Sequence, residues 1–446
     1  MASGAQAPSD APAGAAEGTS PPISGGAYLR LILLGAAIGI PASLLAVGFL
    51  AAVHELEHVL WHDVPDALDR ESPPWYLILG LPVVGALIVI LARRSLPGDG
   101  GHNPVEGLNA SPTPAAYAPG VALAALGSLP FGAVLGPEAP LIALGSAVGM
   151  VVAPWANLGQ EEKAVLGTAG SFAAIAALFG GPIPAGVLLI EAGVASLGAA
   201  VVPLLLPGLV AAAVGYVIFT GFGGWGGIDE TALAVPDLPA YDGTSIPDLL
   251  VGIAVGVLAA ILIGAVHRLA RRVDGLEGRR LGLASLLIAG AASVGALALV
   301  ADGLGANPQD VLFSGQQSLP SLLAEGSAGI VLVLLAAKGL AYAISLGAGF
   351  RGGPVFPAIF IGVALATLAV IAFDVSTTLA VAVGTAAGMA AATKLVFSSL
   401  VIAALLVGSG GADAVPAAVL AAVAAWITVN TIERARQPEA LPVTGT

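Results

Sequence analysis

The chain contains no cysteine, which excludes disulfides, thiol nucleophiles and thiolate metal ligands. Charge is nearly as scarce. Only 10% of the 446 residues are Asp, Glu, Lys or Arg. Soluble domains carry about 25%, so a water-exposed fold of this size could not cover its surface. No Walker A or dinucleotide fingerprint occurs, and the chain has no nucleotide motor of its own. Segments of about ten residues with strict apolar-polar alternation are missing as well, which excludes an outer-membrane barrel. No cofactor and no nucleic-acid partner are expected.

What the chain has in quantity is long apolar sequence. "YLRLILLGAAIGIPASLLAVGFLAAV" (28–53), "PDLLVGIAVGVLAAILIGAVHRLA" (247–270) and "AGIVLVLLAAKGLAYAISLGAG" (328–349) are examples. Each reaches the roughly 20 residues that span a bilayer core. The expectation is an all-α polytopic protein, multi-pass in the cell membrane, with the lipid bilayer as its solvent. Residues 1–26 are rich in Ala, Gly, Pro and Ser and lack a basic region before an apolar core, as a disordered tail does and a cleaved signal peptide does not. The "LPVTG" near the end (441–445) resembles a sortase signal. That signal needs an apolar span and a basic tail after it, and only Thr446 follows, so the match reads as coincidence.

The few basic residues are placed tellingly. Arg93 and Arg94 follow one apolar run, and Arg268, Arg271, Arg272, Arg279 and Arg280 cluster at the end of another. Both places should face the cytoplasm. The chain divides into halves, 27–220 and 246–431, around a glycine-rich loop (221–245), with a short tail at 432–446. The arginines follow the second run of the first half but the first run of the second half, so the halves start from opposite sides. That is an inverted repeat.

Four segments break the apolar runs: "RRSLPGDGGHNPVEGL" (93–108), "LGPEAPLIALGSAVG" (135–149), "FGGPIPAGVLLIEAG" (179–193) and "GAGFRGGPVFPAIFIG" (347–362). Irregular backbone at membrane depth is tolerated where protein buries it or where it lines a cavity. A helix starting there points free N–H groups and a positive dipole end inward. Several such starts would hold an anion on backbone amides, with few lysines or arginines needed.

At these segments the chain resembles the CLC family of chloride channels and chloride/proton exchangers, over most of 28–430. The resemblance implies a CLC-like inverted repeat with many tilted and broken helices. It also implies a homodimer with one path per subunit and chloride or another small anion as substrate, with or without protons. The family's "GREGP" is similar to "GPEAP" here, with Glu138 and Pro140 matching. Glu138 thereby inherits the role of a gate whose carboxylate imitates the permeant anion, and Ala139 follows it at the helix start. The family's "GSGIPEIEG" aligns to "DGGHNPVEG" (99–107), which puts Gly100, Gly101, His102 and Asn103 at the anion. The serine of that motif falls on Gly100, so one hydroxyl donor is lost. His102 is a candidate replacement, or a satisfied loop histidine.

The family's "GGIFAP" aligns to "GGPVFP" (352–357). Pro354 has no N–H, and the amides of Val355 and Phe356 remain as donors. "GGPIPAGVLLIEAG" resembles the family's "APLAGILFIIEE", with Glu191 at the first glutamate and Ala192 at the internal proton-transfer glutamate. Glu191 is then either a substitute on a proton path or a hydrogen-bonded structural acid, and the second is favoured. No tyrosine follows Tyr342 to supply the family's late hydroxyl. Passive, channel-like movement is expected slightly ahead of exchange. No cytoplasmic nucleotide-binding domains are expected after the last apolar run.

One motif points elsewhere. "HELEH" (54–58) matches H-E-x-x-H, which on a helix sets His54 and His58 on one face with Glu55 as base. An intramembrane zinc metalloprotease is the alternative. It would need a third ligand, His62 or Glu57, and a distant aspartate, for which "ANPQD" (306–310) is a poor match. The plainer expectation is the polar outer end of the first helix, with Trp61 at the membrane interface.

Overall fold

Most apolar runs become helices, and most glycine-proline clusters become the turns between them. The computed structural model describes residues 25–197, 202–221 and 233–435. The first half comprises α1 (Gly25–His58), α2 (Trp75–Ser95), α3 (Ala118–Ser128), α4 (Glu138–Val152), α5 (Gln160–Phe179), α6 (Pro182–Leu197) and α7 (Val202–Gly221). The second comprises α8 (Ile246–Asp274), α9 (Leu283–Gly303), α10 (Ala328–Gly347), α11 (Val355–Phe373), α12 (Thr377–Thr393), α13 (Val396–Val407) and α14 (Val415–Arg434). Among the described residues, 8 helices are long and apolar enough to cross a membrane. Nearly all of the expected N-terminal tail, much of the loop between the halves and the "LPVTG" stretch lie outside the described residues.

The halves correspond helix for helix. Gly35 and Gly39 of α1 lie on the backbone of Pro207 and Ala211 in α7, as Gly252 and Gly256 of α8 lie on Ala417 and Ala421 in α14. Gly145 of α4 meets Gly170 of α5, as Gly362 of α11 meets Gly384 of α12. A methyl group at any of these glycines would strike the partner backbone. Lipid supplies no hydrophobic drive between helices, so close backbone approach has to hold them together.

The directions are opposed. The ends of α2 and α8 share one face, where Asn103 Nδ2 donates to Asp274 at 3.1 Å and Arg93 lies 3.8 Å from Glu277. The first half reaches that face with its second helix and the second half with its first, so one half is inverted. Both arginine-rich ends therefore lie together.

Helix α4 has 15 residues, which makes it about 22 Å long. That is short of the roughly 30 Å hydrocarbon core, so it cannot cross the core along the membrane normal. Helix α1 continues through a π-helical turn, Val59–Asp63. Trp61 in that turn, expected at the membrane interface, turns its ring into the protein rather than outward. It is 1% exposed, its Nε1 donates to Pro130 O at 2.9 Å, and its ring meets Phe313 edge-on. A tryptophan is buried readily when its N–H finds an acceptor, and Pro130 provides one.

Candidate functional site

Two helix starts carry the same five-residue pattern, G-P-x-x-P. Gly136–Pro140 opens α4 and Gly353–Pro357 opens α11. The prolines fit because first-turn N–H groups have no intrahelical acceptor to lose. The turns pair with each other: Gly136 N–H donates to Gly353 O at 2.8 Å, and Gly353 N–H donates to Gly136 O at 2.6 Å. The pairing is antiparallel. The positive ends of α4 and α11 are thereby brought to one place, one from each half.

Glu138 lies in that place with no exposed surface. Its Oε1 accepts the N–H of Val355, from the other half, at 2.5 Å. Its Oε2 is buried without a hydrogen-bond partner among the described residues. The glycines on either side make room, since a methyl group at Gly136 or Gly353 would strike the carboxylate. Phe356 stacks on Phe179 at 5.9 Å between ring centres. So the expected residues Glu138, Ala139, Val355 and Phe356 are brought together at the paired helix starts. A carboxylate held by a backbone amide marks a place that suits a small anion.

Tyr342 also belongs here. Fully buried on α10, it donates its hydroxyl to Pro354 O at 2.8 Å and so braces the α11 turn. Nothing in the spacing of Tyr342 announces this. The shared G-P-x-x-P pattern, by contrast, is visible in the sequence and escapes a segment-by-segment reading.

The 99–107 stretch forms a separate part, on the face where the arginine-rich helix ends meet. Gly100 and Gly101 are left-handed, with φ of 69° and 104°. Gly100 backs onto Ala124 and the side chains of Arg93 and Arg351. Arg351, which no motif in the sequence singles out, is 4% exposed. The Asn103 side chain is committed away from any anion: its Oδ1 accepts from Val105 N at 3.2 Å while Nδ2 binds Asp274. His102 has Nδ1 3.5 Å from Asn109 Nδ2 and Nε2 3.7 Å from Glu106. Burial pushes its pKa below the ordinary histidine value, the Glu106 charge opposes this, and the Arg351 charge adds to it.

Glu191 is placed elsewhere, at the start of α13. Its Oε1 accepts Phe397 N–H at 3.1 Å, and its Oε2 accepts Ser398 N–H at 2.8 Å and Ser398 Oγ–H at 2.7 Å. That is the work of a helix cap.

On the face opposite the arginines, a cavity of about 880 Å³ runs between the end of α1 and residues 307–318 and reaches Pro137, next to Glu138. Its wall includes the H-E-x-x-H residues His54 and Glu55. The two histidines do not converge: His54 Nδ1 is 3.3 Å from Gln317 Nε2, whereas His58 Nδ1 is 3.3 Å from Asp63. Among the described residues no three His, Asp or Glu side chains gather as metal ligands. The protease alternative has no support.

Comparison with known proteins agrees with this geometry. Residues 103–429 match the family model described as voltage gated chloride channel. A putative ion-transport protein of Escherichia coli, YfeO, is 30% identical over 356 residues, which cover 76% of this chain and 78% of that protein. Among solved structures, a slow cyanobacterial Cl-/H+ antiporter aligns with a TM-score of 0.72 at 17% identity, covering 90% of this chain and 95% of that one. A CLC-type fluoride/proton antiporter aligns with a TM-score of 0.71 at 22% identity, covering 91% and 96%. The chain belongs to the voltage-gated chloride channel, or CLC, family, whose members are membrane channels and anion/proton antiporters rather than enzymes.

Proposed function

We propose that the protein moves small anions, chloride foremost, along a path gated by Glu138. One observation carries this: the buried Glu138 carboxylate accepts a backbone N–H from the opposite half, at a point where two helix starts converge. A carboxylate there competes with a permeant anion for the same amides, those of Ala139, Val355 and Phe356. When Glu138 is protonated or swings toward the outer cavity, the anion takes its place. Binding must stay loose enough for exit.

The lost hydroxyl at Gly100 and the missing N–H of Pro354 leave the anion on backbone donors, so fluoride and nitrate belong in the test beside chloride. Fluoride is also the substrate named for the similar antiporter. Glu191 is spent on capping α13, and Ala192 has no proton to carry. Both favour anion flow without tight proton coupling. By family resemblance the unit is a homodimer.

The test is flux from proteoliposomes under a chloride gradient, with internal pH recorded and voltage clamped by valinomycin and potassium. In Glu138→Gln, anion flux should persist and its dependence on pH should disappear. A pH response equal to wild type would overturn the gate. Chloride efflux that drives protons uphill would make the protein an exchanger, with Glu191 the first residue to substitute.

A further inference from the structure

We propose that Arg93 and Arg351 form a second anion site, at the inner mouth, and that the Asp99 carboxylate is its tethered occupant. The site rests on the anion path proposed above for its purpose, but not for its geometry. Arg93 Nε donates to Asp99 Oδ1 at 2.8 Å, and Arg93 Nη2 donates to Oδ2 at 2.8 Å. Arg351 Nη2 donates to the same Oδ2 at 2.7 Å, and its Nε donates to Asp99 O at 3.1 Å. The Arg93 fork thus closes on the Asp99 carboxylate, and Arg351 divides its fork between that carboxylate and the Asp99 carbonyl; paired guanidiniums of this kind recognise small anions.

The partners differ sharply in freedom. The arginine side chains are 7% and 5% exposed, whereas that of Asp99 is 57% exposed. Arg93 is held through its guanidinium, and Arg351 through its backbone, by groups other than Asp99. Arg93 Nη1 donates to Gly349 O at 3.2 Å, and the Arg351 backbone N–H donates to Ser128 Oγ at 3.0 Å. Asp99 instead sits on a hinge. Gly98, Gly100 and Gly101 all have positive φ, and Asp99 itself has φ of 49°, a conformation that a residue with a side chain adopts at a cost. Rotation of this loop would carry the carboxylate into water and leave both guanidiniums facing the mouth, beside Gly100. The nearest further acid, Glu277, stands 3.8 Å from Arg93 and touches it without enclosing it.

The occupant Asp99 imitates is a small monovalent anion. Its carboxylate would keep the site closed until an anion from the cytoplasm displaces it. The competing account is a plain tie between residues 93–101 of one half and 349–351 of the other.

The experiment uses the full chain in detergent, with chloride or gluconate at matched ionic strength as the probe. Asp99→Asn leaves two buried cations without their carboxylate. Chloride should then raise the melting temperature of Asp99→Asn more steeply than that of wild type, because an anion bound only by the folded protein stabilises it by mass action. The double variant Asp99→Asn/Arg351→Gln should lose this extra shift. A lower melting point with wild-type chloride dependence would reduce Asp99 to a tie and overturn the site. If Asp99→Asn yields no folded protein in gluconate, folded yield restored by chloride supports the site, and no restoration overturns it. An unchanged pH response in Glu138→Gln, together with the extra chloride shift in Asp99→Asn, would sink the central gate and leave the inner site standing.

Discussion

At the scale of single residues, Glu138 is stable as a buried acid because glycine surrounds it. The missing Cβ atoms of Gly136 and Gly353 are the space its carboxylate fills. Gly353 has no left-handed φ to forbid a side chain, so Gly353→Ala should fold and push the carboxylate out. Its anion flux should lose pH dependence as Glu138→Gln does; a wild-type pH profile would show that the carboxylate does not fill that space. Asp99 gives the opposite pH expectation. Burial raises its carboxyl pKa, but hydrogen bonds and charges from Arg93 and Arg351 outweigh this and hold it below the ordinary value. A depressed carboxyl contributes its stability above the ordinary pKa of about 3.9 and loses it as pH falls through the lower folded value. Flux in Asp99→Asn should therefore keep the wild-type pH profile above about pH 5. Glu138 was legible in the sequence, because a lone carboxylate in an apolar run has few other reasons to exist. Arg351 and Asp99 were not, since a charge within glycine-rich sequence looks the same whether it faces water or a buried partner.

At the scale of elements, hydropathy located the long helices, because bilayer thickness sets their length. It said little about where short ones begin. Prolines and glycines marked those starts, but only tertiary pairing joined Gly136 to Gly353. Glu191 shows the same limit. Its position suggested two roles, and the three bonds at the start of α13 are contacts across 206 residues or more that no local pattern encodes. Glu191→Ala should cost about 1–3 kcal/mol through the lost cap, read as a lower melting temperature in detergent. The ratio of protons to anions moved should not change; a change would place Glu191 on a proton path.

At the scale of the whole molecule, the absence of cysteine becomes a tool. Arg279 and Glu71 are both exposed, at the arginine-rich end of α8 and before α2. In intact cells a membrane-impermeant maleimide should label Glu71→Cys and spare Arg279→Cys, with no background from the chain itself. The reverse pattern would invert the orientation expected from the arginines. The inverted arrangement was inferable from that charge placement alone, whereas the glycine contacts that fix each pair of helices needed the fold.

The convergence of α4 and α11 has a consequence for ions of the other sign. Each helix start carries about half an elementary positive charge, so two of them confront a cation with a barrier where they offer an anion a seat. A sodium or potassium ion entering the cavity walled by Glu55, Glu57 and Asp310 would meet that barrier before the centre. A cell can keep such a conduit in its membrane without draining the cation gradients that drive its other transporters.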